Sequence, residues 1–98
     1  MIGVFVSFTF AEFDARSVRR IAREARAKFT SLPGLRSKAF TFDEPHRRVI
    51  NFYIWNDEHS ARSFFSKDFV ERAANIYGAP PTITFVEVAE LVDNATSR

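Results

Sequence analysis

A chain of 98 residues suits one domain, so residues 1–98 are expected to form a single unit. An apolar fraction of 46% with 27% charged residues argues against disorder, and the lack of cysteine excludes disulfides, thiolate zinc sites and a cysteine nucleophile. The net charge is only +2, but Asp14 to Lys38 holds eight basic residues against two acidic ones, the signature of a solvated basic helix face rather than of a whole basic surface.

The first ten residues alternate, with Ile2, Val4, Val6, Phe8 and Phe10 on one side and Gly3, Phe5, Ser7 and Thr9 on the other, so residues 2–10 predict a strand. This apolar start is too short to span a bilayer and carries no basic n-region, so the expectation is a cytoplasmic protein without a membrane segment. Asp14 is a good helix N-cap, and Val18, Ile21, Ala22, Ala25 and Phe29 then fall on one helical stripe, with Arg16, Arg19, Arg20, Arg23 and Arg26 opposite. Ser31-Leu32-Pro33-Gly34 breaks the chain. Leu35–Glu44 and Arg48–Asn56 predict two strands joined through Glu44-Pro45-His46-Arg47. Asn56 or Asp57 caps a second helix, and Asp68 with Glu71 in capping-box position predicts a second start that divides this helical region near Ser66-Lys67. Tyr77-Gly78 ends it, Thr82–Glu90 predicts a fourth strand, and the tail 91–98 is expected to be extended and frayed at its end.

The order β-α-β-β-α-β predicts an α+β, ferredoxin-like, four-stranded antiparallel sheet with its helices on one face. Within RVINFYIWND, Ile50, Phe52 and Ile54 read as the core face, whereas Asn51, Tyr53 and Trp55 carry polar atoms suited to a wet aromatic pocket. The sheet face away from the helices would then display Phe5, Phe40, Phe42, Tyr53 and Trp55. Such a patch is expected to be covered by a second copy, closing a chamber between two sheets.

Gly34-Leu35 with Lys38, the NFYIWND strand end, Ser60-Ala61 leading to Phe64, and Tyr77-Gly78-Ala79-Pro80-Pro81 followed by Val92-Asp93-Asn94 together resemble the dimeric α+β barrel superfamily. Within it the likeness is to small monooxygenases related to those of antibiotic biosynthesis. The resemblance covers about residues 1–94 and implies a homodimer that takes a small aromatic substrate and dioxygen, with no cofactor. In cofactor-independent members an Asn and a Trp on the third strand line the cavity between the sheets, which the resemblance carries to Asn51 and Trp55 as catalytic residues. Haem-degrading relatives use an Asn on the first strand and a helix His. Here Ser7 and Thr9 stand on that strand and Phe64-Phe65 on that helix, which disfavours haem chemistry.

Cofactor-free oxygenation requires the substrate to supply the electrons, so the site must hold a flat phenol or quinol, stabilise its anion and exclude water. Phe40, Phe42 and Tyr53 are the expected substrate-binding rings, with Lys38 as a cation beside the anion and Asn51 as its hydrogen-bond donor. Whether Lys38 points inward is left open by the sequence; with Leu35 facing the helices, alternation turns it toward the chamber. His46 and His59 lack metal-ligand spacing, and no metal is expected. One alternative is a non-catalytic small-molecule-binding dimer. Another is an RNA-recognition domain, disfavoured because the third strand lacks its early glycine, Phe52 would face the helices, and the basic residues cluster on the first helix.

Overall fold

The computed structural model describes residues 1–9 and 13–96, so the expected strand end at Phe10 and the last two residues lie outside it. The period-two segments form β1 (Ile2–Thr9), β2 (Leu35–Asp43), β3 (Arg48–Trp55) and β4 (Thr82–Glu87), in the spatial order β2-β3-β1-β4 with every neighbour antiparallel. Helices α1 (Ala15–Phe29), α2 (Glu58–Phe64) and α3 (Lys67–Tyr77) connect them, giving the ferredoxin-like α+β architecture with the second helical region split in two. No described helix is long and apolar enough to cross a membrane.

Register decides which face is which, and here the structure corrects the sequence reading. Val4 pairs with Tyr53, Val6 with Asn51 and Phe8 with Val49, so Tyr53 and Asn51 share the face of the β1 valines. The helices cover that face, and Val4, Val6, Tyr53 and Trp55 are the most deeply buried large side chains. Phe5 pairs with Phe52 on the opposite, bare face, beside Ile50 and next to Gly3 and Val86. A slip of one residue between β1 and β3 exchanges the faces of a whole strand. The sequence reading joins Phe5 to Tyr53 and Trp55; the actual pairing sends Phe40, Phe42, Tyr53 and Trp55 inward and leaves Phe5 and Phe52 outside.

A second irregularity re-aims Lys38. Leu35 pairs with Trp55 and Ser37 with Ile54, so Arg36 is the extra residue of a β-bulge. Simple alternation would put Leu35 and Lys38 on opposite faces. The bulge lets Leu35 pack on the core beneath the helices while Lys38, Phe40 and Phe42 also point to the helix side, opposite Tyr53, Asn51 and Val49.

Capping follows the sequence at two of three helices. The Asp14 carboxylate accepts from the Arg16 N–H at 3.2 Å, and that of Asp57 from the Ser60 N–H at 2.8 Å. At α3 the cap is Ser66, whose hydroxyl accepts from the Phe69 N–H at 3.3 Å, and Asp68 lies inside the first turn. Serine competes well with aspartate at an N-cap, and the serine comes first along the chain. The fourth strand stops at Glu87, three residues short of the expectation, and 94–96 form a 3₁₀ turn instead of an extended tail. Asp93 lies 3.8 Å from Arg36, at the sheet edge opposite β4, so this segment passes across the end of the sheet.

Candidate functional site

Helix α1 covers the sheet without burying any residue fully, because much of its apolar stripe faces a void. Between α1, α3 and the sheet lies a cavity of about 860 Å³, a volume typical of small-molecule sites. Val18, Ile21, Ala22, Ala25 and Phe29 line it from α1, and the two alanines at the middle of that stripe are too short to fill the space above the sheet. Ile21 of α1 and Ile76 of α3 line it while remaining 45% and 73% exposed, which puts them at its mouth.

The sheet floor carries four of the six residues expected from the sequence: Lys38, Phe40, Asn51 and Tyr53. Antiparallel register sets Lys38 beside Tyr53 and Phe40 beside Asn51, a two-by-two block on adjacent strands. Phe42 borders a separate shallow groove with Val18 and Arg19, whose guanidinium lies 4.9 Å from its ring centroid. Trp55 does not line the cavity. It is 1% exposed, parallel to Tyr53 with centroids 6.1 Å apart, and enclosed by Phe64 and Phe65. Its place is behind the floor, where it fixes the Tyr53 ring. This cavity therefore lies within a single chain, between the sheet and the helices, and not on the bare face of the sheet where the sequence reading places it.

Among the described residues Asn51 is the only buried polar residue of the core; its Oδ1 has no hydrogen-bond partner, and neither has the Trp55 Nε1. A buried polar atom without a partner costs about 1–3 kcal/mol. On a cavity floor, the Asn51 amide is positioned to bond a ligand. Its two ends exchange by rotation of the carboxamide, so it can meet a hydroxyl or an anionic oxygen.

Lys38 stands against three rings, with Nζ 3.5 Å from the centroid of Phe29, 4.1 Å from Phe40 and 4.4 Å from Tyr53. Burial, and secondarily the charge of Lys28, lower its pKa from 10.5 to about 7. The ring faces attract an ammonium by about 0.5–2 kcal/mol. Removing an ion from water costs several kcal/mol, so burial outweighs the rings and the amine is substantially neutral near pH 7. Burial raises the Tyr53 and Tyr77 phenols, which stay protonated at that pH. The other charged groups on the lining are Lys28, Arg72 and Asp14. Asp14 is engaged in capping α1, with the Ser17 hydroxyl donating to it at 2.7 Å, and Arg72 meets Asp68 at 3.1 Å. Cations outnumber carboxylates around this void, which favours an anionic or ionisable ligand.

Sequence reasoning missed Phe29, Phe64, Phe69 and Tyr77 as lining residues. It places Val18, Ile21, Ala22, Ala25 and Phe29 on one helical stripe without assigning them to a cavity; the Ala22 and Ala25 pair is the sign of unfilled space. Among the described residues no cluster of His, Cys, Asp or Glu is arranged to hold a metal ion.

Comparison with solved structures finds this fold in monooxygenases. A Deinococcus radiodurans protein assigned to antibiotic biosynthesis monooxygenases matches with a TM-score of 0.70 at 12% identity, over 95% of this chain and 97% of the other. The monooxygenase from the ActVA-Orf6 gene of Streptomyces coelicolor, solved with nanaomycin D, matches with a TM-score of 0.65 at 18% identity, over 93% and 89%. SnoaB of Streptomyces nogalater, a cofactor-independent oxygenase solved as a point mutant, matches with a TM-score of 0.64 at 12% identity, over 93% and 95%. No family model matches the chain, and no curated protein sequence does. At these identities the likeness establishes the fold over nearly the whole chain.

Proposed function

We propose that the protein is a cofactor-independent monooxygenase acting on a planar phenolic or quinol-type small molecule held between the sheet and α1. The observation that carries this reading is the Asn51 amide, buried and unpartnered on an otherwise aromatic floor, with the Lys38 amine one strand away. Phe40 and Tyr53 offer a flat slot of the right chemistry. The fold shared with a cofactor-independent oxygenase and with a monooxygenase that binds nanaomycin D supports it.

In this reading the neutral Lys38 amine accepts the phenolic proton, and the resulting ammonium holds the phenolate. Asn51 donates a hydrogen bond to the same oxygen. The electron-rich anion passes one electron to dioxygen, and the two radicals combine to a carbon-bound peroxide anion, which takes the proton back from the Lys38 ammonium to give a hydroperoxide. Loss of water leaves a carbonyl, so one oxygen atom enters the substrate and the other leaves as water, with all electrons coming from the substrate. Trp55 acts as a positioning residue through Tyr53, and Phe42 supports the edge of the slot without touching the substrate. A second copy of the chain covers the bare face in this reading.

An oriented donor that strengthens in the transition state contributes more to turnover than to affinity. Asn51→Ala is therefore expected to bind a quinol nearly normally while oxygen uptake falls by about ten- to a thousand-fold. The wild-type rate should survive exhaustive chelation. Uptake unchanged in Asn51→Ala, or abolished by chelator, overturns the mechanism. Two neighbouring rings on the bare face, Phe5 and Phe52 with centroids 4.6 Å apart and planes tilted by 35°, superficially imitate a base-stacking platform. That face carries little to attract phosphate, however: Arg48 lies 3.4 Å from Asp43, and the arginines of α1 lie behind the sheet.

A further inference from the structure

We propose that Lys38 is an imine-forming lysine, which makes the cavity a site for reversible covalent capture of planar aromatic aldehydes or ketones. This goes beyond oxygenation and does not depend on it.

Three features of the geometry lead there. The Lys38 Nζ sits among Phe29, Phe40 and Tyr53 on the floor of a cavity large enough for an aryl carbonyl compound. Among the described residues no carboxylate pairs with it; the ion pairs engage Arg36, His46, Arg48, Arg62 and Arg72 instead. A second cation, Lys28 of the facing helix, lines the same cavity. An apolar enclosure and a neighbouring cation are the two devices that keep a lysine amine free to attack a carbonyl. The remaining charged groups of the lining are Asp14 at the start of α1 and Arg72 on α3, each already engaged. The lowered pKa of Lys38 agrees with this arrangement.

The step balances without any oxidant. The amine lone pair forms the carbon–nitrogen bond while the carbonyl π pair moves to oxygen. A proton passes from nitrogen to that oxygen, giving a carbinolamine. Protonation of the hydroxyl and departure of water then leave the carbon–nitrogen double bond, a cationic imine seated over three aromatic faces. Those ring faces, which do little to hold a bare ammonium against burial, stabilise this larger and weakly hydrated cation.

The chain contains only three lysines, Lys28, Lys38 and Lys67, and the first and last are exposed, so the protein carries its own controls. The full chain, kept anaerobic at pH 7, is treated with limiting 4-hydroxybenzaldehyde and sodium cyanoborohydride, and the modified lysines are mapped by peptide mass spectrometry. The expected result is hydroxybenzylation of Lys38 at least about tenfold faster than of Lys28 or Lys67, since only the neutral amine reacts and burial favours that form at Lys38. The Lys38 adduct should form about tenfold more slowly for each pH unit below 7, and its preference should narrow to within about tenfold toward pH 10, where an ordinary lysine amine also sheds its proton. Even labelling of the three lysines at pH 7, or a preference that does not narrow toward pH 10, overturns the proposal. Lys38→Arg should lose the selective adduct; if this variant does not fold, the lysine map of the unaltered chain still decides. Loss of oxygen uptake on a quinol with trapping intact would refute the oxygenase and leave the imine site standing.

Discussion

At Lys38 the cost of burying charge becomes a pH dependence of stability. Its folded pKa of about 7 lies below its unfolded value of 10.5, so between these the unfolded chain binds more protons than the folded one. Stability linked to this group must therefore rise as pH increases from about 7 toward 10. The two tyrosines act in the opposite sense, since burial raises both Tyr53 and Tyr77, and above about pH 10 the unfolded chain loses protons that the folded one retains. Thermal denaturation should show a midpoint that climbs from pH 7 to about 9.5 and then falls. Lys38→Met, close in volume and without the amine, should flatten the climb and leave the fall. A wild-type midpoint already flat between pH 7 and 9.5 would mean that the amine is solvated and that the cavity floor is wetter than its rings imply.

The elements depend on a few backbone positions that a side chain cannot occupy equally well. Gly34 has φ of +84° before β2, and an added Cβ would lie 2.6 Å from the Ser60 Oγ and 2.7 Å from its Cβ, at the start of α2. Gly78 has the same φ at the end of α3 but open space around it. Gly34→Ala should therefore destabilise by about 2–4 kcal/mol, combining left-handed strain with displacement of α2, whereas Gly78→Ala should cost about 1 kcal/mol. Equal costs in chemical denaturation would show that α2 yields freely. At α3, Ser66→Ala should cost about 1 kcal/mol and Asp68→Ala about half of that, because the serine is the cap and the aspartate only pairs with Arg72 in solvent. These elements are legible in the sequence through Asp14, Asp57, Gly34 and the alternating strands, since those signals are local. Which faces of β1 and β3 coincide is not, because register belongs to a pair of strands and period two is blind to a one-residue slip. The bulge at Arg36 is equally hidden, and so Lys38 points inward for a reason that alternation alone does not supply. Asn51 and Tyr53 stand out as odd polar groups in an apolar run; Phe29 and Tyr77 do not, because a cavity wall and a core stripe have the same sequence pattern.

The whole molecule is one sheet with a hollow helix side and a bare apolar side. On the bare side Gly3 lets Val86 and Phe52 close together, Phe5 packs at a tilt against Phe52, and Phe5 and Val86 are left 40% and 39% exposed. A continuous patch of this kind on a small protein is seldom left in water, and a flat sheet face matches best a second copy of itself about a two-fold axis. Sedimentation equilibrium at micromolar concentration should give twice the 11.3 kDa chain mass. Phe52→Glu, which sets a charge at the centre of the patch, should give the single-chain mass while circular dichroism stays folded. The face assignment adds a stronger consequence. Because the Lys38–Asn51 cavity lies on the other side of the sheet, inside one protomer, the Phe52→Glu monomer should still bind a planar phenol with an affinity within about threefold of the dimer, as expected for separated sites without shared partners. A phenol that binds the dimer but not the folded monomer would move the ligand to a chamber between the sheets, and with it the roles of Lys38 and Asn51.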